Sequence, residues 1–269
     1  MKCPFPVAVL ALAACQQPAE GDPVSRIEIG KGEIAPKPSP TPKVASACER
    51  TSFEGVPLTH CLADPAKHRI ATALGPPYRS FAALAAGLGD KAKSVAFAVN
   101  GGMFGDDGKP IGYYVERGKR LKTLNRAEGG GNFHLEPNGV FFGSGGKWRV
   151  MASDEFYAKV SDRPEFGTQS GPMLVIAGKL HPEFAEEGPS KLVRNGVGVD
   201  AAGRAHFVLS EGPVSFGRFA RYFRDELKTP NALYLDGAVS ALWDPRARRR
   251  DETVPLGPMI VVTDKEGKE

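Results

Sequence analysis

Four short segments set a polar side chain beside glycine where an apolar run stops or starts: Asn100-Gly101-Gly102, Ser170-Gly171, Arg194-Asn195-Gly196 and Asp236-Gly237. A carboxylate is costly to bury, so Asp236 at the close of "NALYLDG" asks for a use. A carboxylate can take a proton or attack an electrophile. A guanidinium can hold phosphoryl or carboxylate oxygens, and glycine lets backbone amides approach an anion. Each residue also has a plain structural reading. Asp236 can cap the next turn through an Asx bond, Arg194 can pair with a buried carboxylate such as Asp236 or Glu211, and Asn100 can occupy a left-handed turn.

Other chemistries leave less trace. No G-x-S-x-G elbow, H-E-x-x-H helix, Walker loop or dinucleotide fingerprint occurs. The histidines His60, His68, His134, His181 and His206 are scattered, and "GGG" at 129–131 lacks the Lys-Ser/Thr of a phosphate loop. Asp106 and Asp107 in "GDDGKP" read as turn residues, with calcium binding as the alternative. No metal site and no cofactor is predicted; a divalent-metal requirement stays open.

The elements that must carry these residues form a recognisable series. "SFAALAAGLGDKAKSVAFAVNGG" from Ser80 and "SFGRFARYFRDELKTPNALYLDGA" from Ser215 share one grammar: a capping Ser, an amphipathic helix, a break, an apolar strand, then a polar residue and Gly. In the second, Phe216, Phe219, Ala220, Phe223 and Leu227 make the apolar stripe, with Arg218, Arg221, Arg224 and Asp225 expected to face away. The shared spacing suggests a pseudo-repeat with Asn100 and Asp236 in equivalent places, or simply two helix-strand units that look alike. Between them the pattern is hairpins, turning at Arg117-Gly118, Gly145-Gly146, Ala177-Gly178 and Ala202-Gly203. Many hairpins and few helices predict an α+β fold of mixed or antiparallel sheets in a single domain.

The N-terminus reads as export machinery. "MKCPFPVAVLALAAC" has one Lys, an apolar run too short to span a bilayer, and small residues before Cys15. Residues 1–14 are expected to be a signal peptide. "LAAC" resembles the bacterial lipoprotein box, which implies a lipidated Cys15; cleavage nearby with an unmodified Cys15 is the alternative. Gln16 resembles lipoproteins sorted to the outer membrane, so the expected location is its periplasmic side. Residues 15–46 are a proline-dotted tether, 47–264 the folded domain and 265–269 a disordered tail. In an oxidising compartment Cys48 and Cys61, brought together by a turn near Gly55-Val56-Pro57, are expected to form a disulfide. The net charge of +4 rests on Arg246, Arg248, Arg249 and Arg250, read as a solvated loop; without them the balance is zero, so no basic face for nucleic acid is expected.

"NGGMF", "SGPMLV", "RNGVGV", "GNFHLEPNGVFF", "EGPVSFGRFARYFRDEL" and "ALYLDGAVS" together resemble the phosphodiester glycosidase domain, in its bacterial exported branch, from about residue 50 to 263. The resemblance implies an exported hydrolase that cleaves the glycosidic bond of sugar-1-phosphodiesters or related envelope glycoconjugates. The alternative is a non-catalytic envelope lipoprotein that binds a glycan in the same pocket. On the hydrolase reading Asp236, with Glu211 as second carboxylate, does the chemistry at the sugar. Asn100 orients the nucleophile or holds hydroxyls. Arg194 holds the phosphate; Ser170, Gly171, Gly101, Gly102, Gly237 and Ser240 line the substrate. The partners implied are a carbohydrate or glycoconjugate and, through Cys15, a membrane. One departure stands out: many members have a second Gly after Asp-Gly, where this chain has Ala238, and a methyl there can narrow the approach of a ligand.

Overall fold

The computed structural model describes residues 45–74, 78–252 and 254–265. The expected signal peptide, almost all of the tether with Cys15, and the tail beyond Lys265 lie outside the described residues. Strands β1 (Cys48–Phe53), β2 (Val56–Ala63) and β3 (His68–Ala73) lead to helix α1 (Phe81–Leu88) and β4 (Val95–Asn100). Strands β5 (Tyr114–Glu116), β6 (Lys119–Lys122), β7 (Gly139–Ser144) and β8 (Lys147–Ala152) precede α2 (Ser153–Lys159). Then come β9 (Phe166–Ser170), β10 (Met173–Ile176), β11 (Lys179–Leu180), β12 (Asn195–Val199), β13 (Ala205–Ser210) and α3 (Phe216–Arg221). The chain closes with β14 (Asn231–Tyr234), β15 (Leu242–Asp244), β16 (Arg249–Arg250) and β17 (Met259–Asp264).

These strands build three antiparallel sheets in an α+β domain: β1-β2-β13-β12-β14-β10-β11, β16-β15-β4-β17-β3 and β6-β5-β9-β7-β8. The hairpins turn where positive φ is affordable, at Arg117-Gly118, Gly145-Gly146 and Ala177-Gly178. The first hairpin turns one residue earlier than its sequence suggested, at Glu54-Gly55, so Val56 and Pro57 already belong to β2. That register sets Cys48 opposite Cys61, and the two form a disulfide.

One face of the seven-stranded sheet packs Cys61, Phe207, Leu209, Val197 and Leu233 against Phe97, Phe141, Phe166 and Ile260 from the other sheets. Its opposite face receives α3 through Phe219 and Ala220, and the helical turn that follows, Tyr222–Glu226, through Phe223. Ser80 and Ser215 cap their helices as expected, accepting from Ala83 N and Arg218 N. The polar face of α3 differs from expectation. Arg221 is buried, because Glu54 and Glu187 reach its guanidinium and satisfy it there. The arginine run is solvated only in part: Arg248 and Arg250 are exposed, whereas Arg246 pairs with Asp264, and Arg249 with Asp251 and Glu211.

Candidate functional site

The polar residues meet because three sheets end together. Strand β14 pairs with β12, which pairs with β13, and all three present their Asp236, Arg194 and Ser210 ends on one side. Strand β4 belongs to another sheet, yet it ends against the same place. Asn100 is 1% exposed, and its amide ties the junction. Nδ2 donates to Asp236 O at 2.7 Å, while Oδ1 accepts from Asn195 Nδ2 at 2.8 Å and Ala241 N at 3.0 Å. Asp236 N donates to Gly101 O at 3.2 Å. The two helix-strand units therefore end face to face in different sheets, and Asn100 holds the loop that carries Asp236.

Asp236 is half-buried and meets no cation in an ion pair among the described residues. Its carboxylate accepts one hydrogen bond, from Ala238 N at 3.2 Å. Burial raises its pKa, and that single backbone bond only partly opposes the rise. Ala238 itself is exposed and contributes its amide, which any residue but proline supplies, so the methyl leaves this contact intact. Ser240 Oγ donates to Gly237 O at 3.1 Å and Asn195 Oδ1 at 3.3 Å, closing the turn.

Arg194 is wholly buried. Nε donates to Val214 O at 2.8 Å, and Nη2 to Ser190 O at 2.9 Å and Ser190 Oγ at 3.1 Å. The guanidinium carbon lies 3.4 Å from the ring centre of Phe216 and 5.6 Å from that of Tyr234. Neither Asp236 nor Glu211 pairs with it, and burial pushes its pKa down. Nη1 is buried with no hydrogen-bond partner among the described residues. Ser170 Oγ, at the crossing from β9 into the β10 sheet, is buried and likewise without a partner among the described residues. Buried donors left open are rare and call for a ligand or water.

Tyr234 joins these groups, and the sequence reading passed over it as part of an apolar strand. Residues two apart in a strand share a face, so the signal was the spacing of Tyr234 and Asp236. Burial raises the tyrosine's pKa, with the Arg194 charge pulling it down and the Asp236 charge pushing it up. A methyl on Gly237 would sit 1.9 Å from the Tyr234 hydroxyl, so glycine is there to admit the tyrosine.

The remaining candidates are used within the fold. Gly101 N donates to Pro258 O at 2.7 Å and Gly102 N to Thr168 Oγ1 at 3.1 Å. A methyl on Gly171 would meet Asn138 Cβ and Phe133 O, both at 2.7 Å. Glu211 stands two strands from Asp236, about 10 Å at the usual strand spacing. It is bound by Thr59 Oγ1 and Arg249; its burial would raise its pKa, but those two partners hold it below the usual range. Asp107 accepts from Lys109 N at 2.9 Å, as a turn residue does.

Residues 93–263 match the model of the phosphodiester glycosidase family. The chain is 37% identical over 171 residues to the uncharacterized protein YigE of Escherichia coli strain K12, a match covering 64% of this chain and 66% of that protein, just under two thirds of its length. The fold is similar to the catalytic domain of zebrafish N-acetylglucosamine-1-phosphodiester α-N-acetylglucosaminidase, auto-inhibited by its pro-peptide, at 14% identity and a TM-score of 0.51, covering 81% of this chain and 82% of that one. It is similar also to a hypothetical protein from Synechocystis, at 14% identity and a TM-score of 0.50, covering 81% and 61%. The chain belongs to the phosphodiester glycosidase family.

Proposed function

We propose that this phosphodiester glycosidase family member is an exported hydrolase that cleaves the bond between an anomeric carbon and a phosphodiester oxygen. The observation that carries the reading is Arg194: a buried guanidinium without a carboxylate among the described residues, its Nη1 open, with the Tyr234 ring beside it. A buried cation of this kind suits an anionic group better than a neutral hydroxyl. In the reaction, water adds its oxygen to the anomeric carbon as the C–O bond breaks. The phosphomonoester departs with the bridging oxygen and one more negative charge, held by Arg194 and Ser170. Asp236 balances the positive charge growing on the sugar and takes the proton of the attacking water. Its raised pKa makes it the stronger base, while Glu211 stays committed to Arg249. The substrates are sugar-1-phosphodiesters or related envelope glycoconjugates.

The test incubates the purified protein with a panel of sugar-1-phosphodiesters and measures free sugar and phosphomonoester. Turnover lost in Asp236→Asn and Arg194→Lys supports the assignment. Turnover that survives both removes it, and tight glycan binding with no turnover makes the chain a binding module. Export through a lipidated Cys15 has its own check: Cys15→Ala leaves the membrane fraction, and unchanged fractionation refutes the anchor.

A further inference from the structure

A second site lies apart from Asp236, on the sheet that carries β5 and β6. There a cavity of about 580 Å3 is lined by Tyr113, Arg120, Arg126, Phe156, Tyr157 and Arg163, with Asp162 among the other residues of its wall. Arg126 is paired with Asp154 at 3.1 Å, whereas Arg120 and Arg163 form no ion pair among the described residues. Both line the same cavity as Tyr113, whose pKa is raised by burial and lowered by their two charges. Tyr113 is 6% exposed, and its hydroxyl makes no hydrogen bond among the described residues. Its ring is held in place, lying over Gly167, where a methyl would come within 2.9 Å of the ring, and 4.9 Å from Phe156. At the rim, Tyr157 is 66% exposed. Arg126 covers one of its faces at 4.5 Å and fixes the ring.

Lysines on an exposed edge strand such as β6 guard against strand pairing, but that does not account for two arginines outside any ion pair that line one cavity with a tyrosine hydroxyl. We propose that this cavity binds an acidic oligosaccharide. Arg120 and Arg163 take the acidic group through charge-assisted hydrogen bonds. Tyr113 donates its hydroxyl proton to the same group, and the open face of Tyr157 supports a sugar ring as a rigid aromatic platform. The proposal is independent of the hydrolytic reading, because it concerns binding at residues away from Asp236 and Arg194.

Calorimetric titration with a mannuronate hexasaccharide, neutral cellohexaose and inorganic phosphate tests it. The acidic hexasaccharide is expected to bind at least tenfold tighter than cellohexaose, and more weakly as salt rises. Arg120→Ala/Arg163→Ala weakens that binding at least tenfold and Tyr157→Ala severalfold. Asp236→Asn leaves it unchanged, and the Arg120/Arg163 double variant leaves turnover of a small sugar-1-phosphodiester unchanged. Equal affinity for acidic and neutral sugars, affinity untouched by these variants, no binding of the hexasaccharide, or capture of phosphate alone as an adventitious ion would each overturn the proposal.

Discussion

Asp236→Asn should move activity and stability in opposite directions. Among the described residues the carboxylate accepts a single hydrogen bond, from Ala238 N, and has no cation in an ion pair, so burial dominates and its folded-state pKa is raised. A raised pKa means that the folded chain holds this proton more tightly than the unfolded chain. The stability it contributes is complete below the unfolded value near 3.9 and is lost as pH rises through the folded value. Asparagine keeps an oxygen for Ala238 N and carries no charge. Above that window the variant should therefore be more stable, by about 1 kcal/mol for a partly uncompensated buried polar group, or roughly 2–4 °C in Tm for a domain of this size. On the proposed role of Asp236 as general base, its removal should lower kcat/KM by about 10²–10⁴, roughly 3–5 kcal/mol. Thermal melts of both proteins between pH 4 and 8, beside a sugar-release assay, read the two effects. A stability gain at pH 8 that shrinks towards pH 4, with activity lost, is the expected result. An inactive variant that is less stable at every pH would refute the account, because Asp236 would then be a structural cap.

Three further outcomes follow from the same geometry. Arg194→Lys keeps the charge but not the fork that reaches Val214 O, Ser190 and the open Nη1 position; kcat/KM should drop by about 10² or more, and near-normal kinetics would remove Arg194 from the site. Asn100→Ala leaves Asp236 O, Ala241 N and Asn195 Nδ2 without their partner; with unsatisfied groups at about 1–3 kcal/mol each, urea melts should show a loss of several kcal/mol together with activity. Cys48→Ala/Cys61→Ala opens a disulfide with a sequence separation of 13; about 3 kcal/mol in the chain-entropy model predicts a Tm lower by roughly 6–12 °C, and an unchanged melt would show that the register of β1 and β2 suffices without it.

What could be read from the sequence was local. Helix caps at Ser80 and Ser215, positive-φ hairpin turns and the opposition of Cys48 to Cys61 depend on residues close in the chain, so spacing exposes them. The ion pairs were not readable. Arg249 meets Glu211 across 38 residues and Arg221 meets Glu54 across 167, and no pattern in either segment announces the partner. The same holds for Asn100, whose amide is satisfied by residues 95 to 141 positions away. Beside glycine it suggested a turn or a ligand; its actual surroundings make it the fastener between two sheets.

Glycine misled for a related reason. In sequence a glycine beside a polar residue signals empty space, but space in a folded chain is filled by whatever packs there. At Gly237 the occupant is the Tyr234 hydroxyl, at Gly102 it is Gln169 O, and at Gly171 it is the 132–138 loop. The openings that remain among the described residues are polar atoms: Arg194 Nη1 and Ser170 Oγ, both buried and both without a partner there. A fold that satisfies Arg221 with two carboxylates and Arg249 with two more had the means to pair Arg194 as well. Its guanidinium is held instead by carbonyls, a hydroxyl and two aromatic faces, which position the charge without neutralising it. That combination suits an anion arriving from outside, and it is what the proposed roles of Arg194 at the phosphate and Asp236 at the sugar rest on.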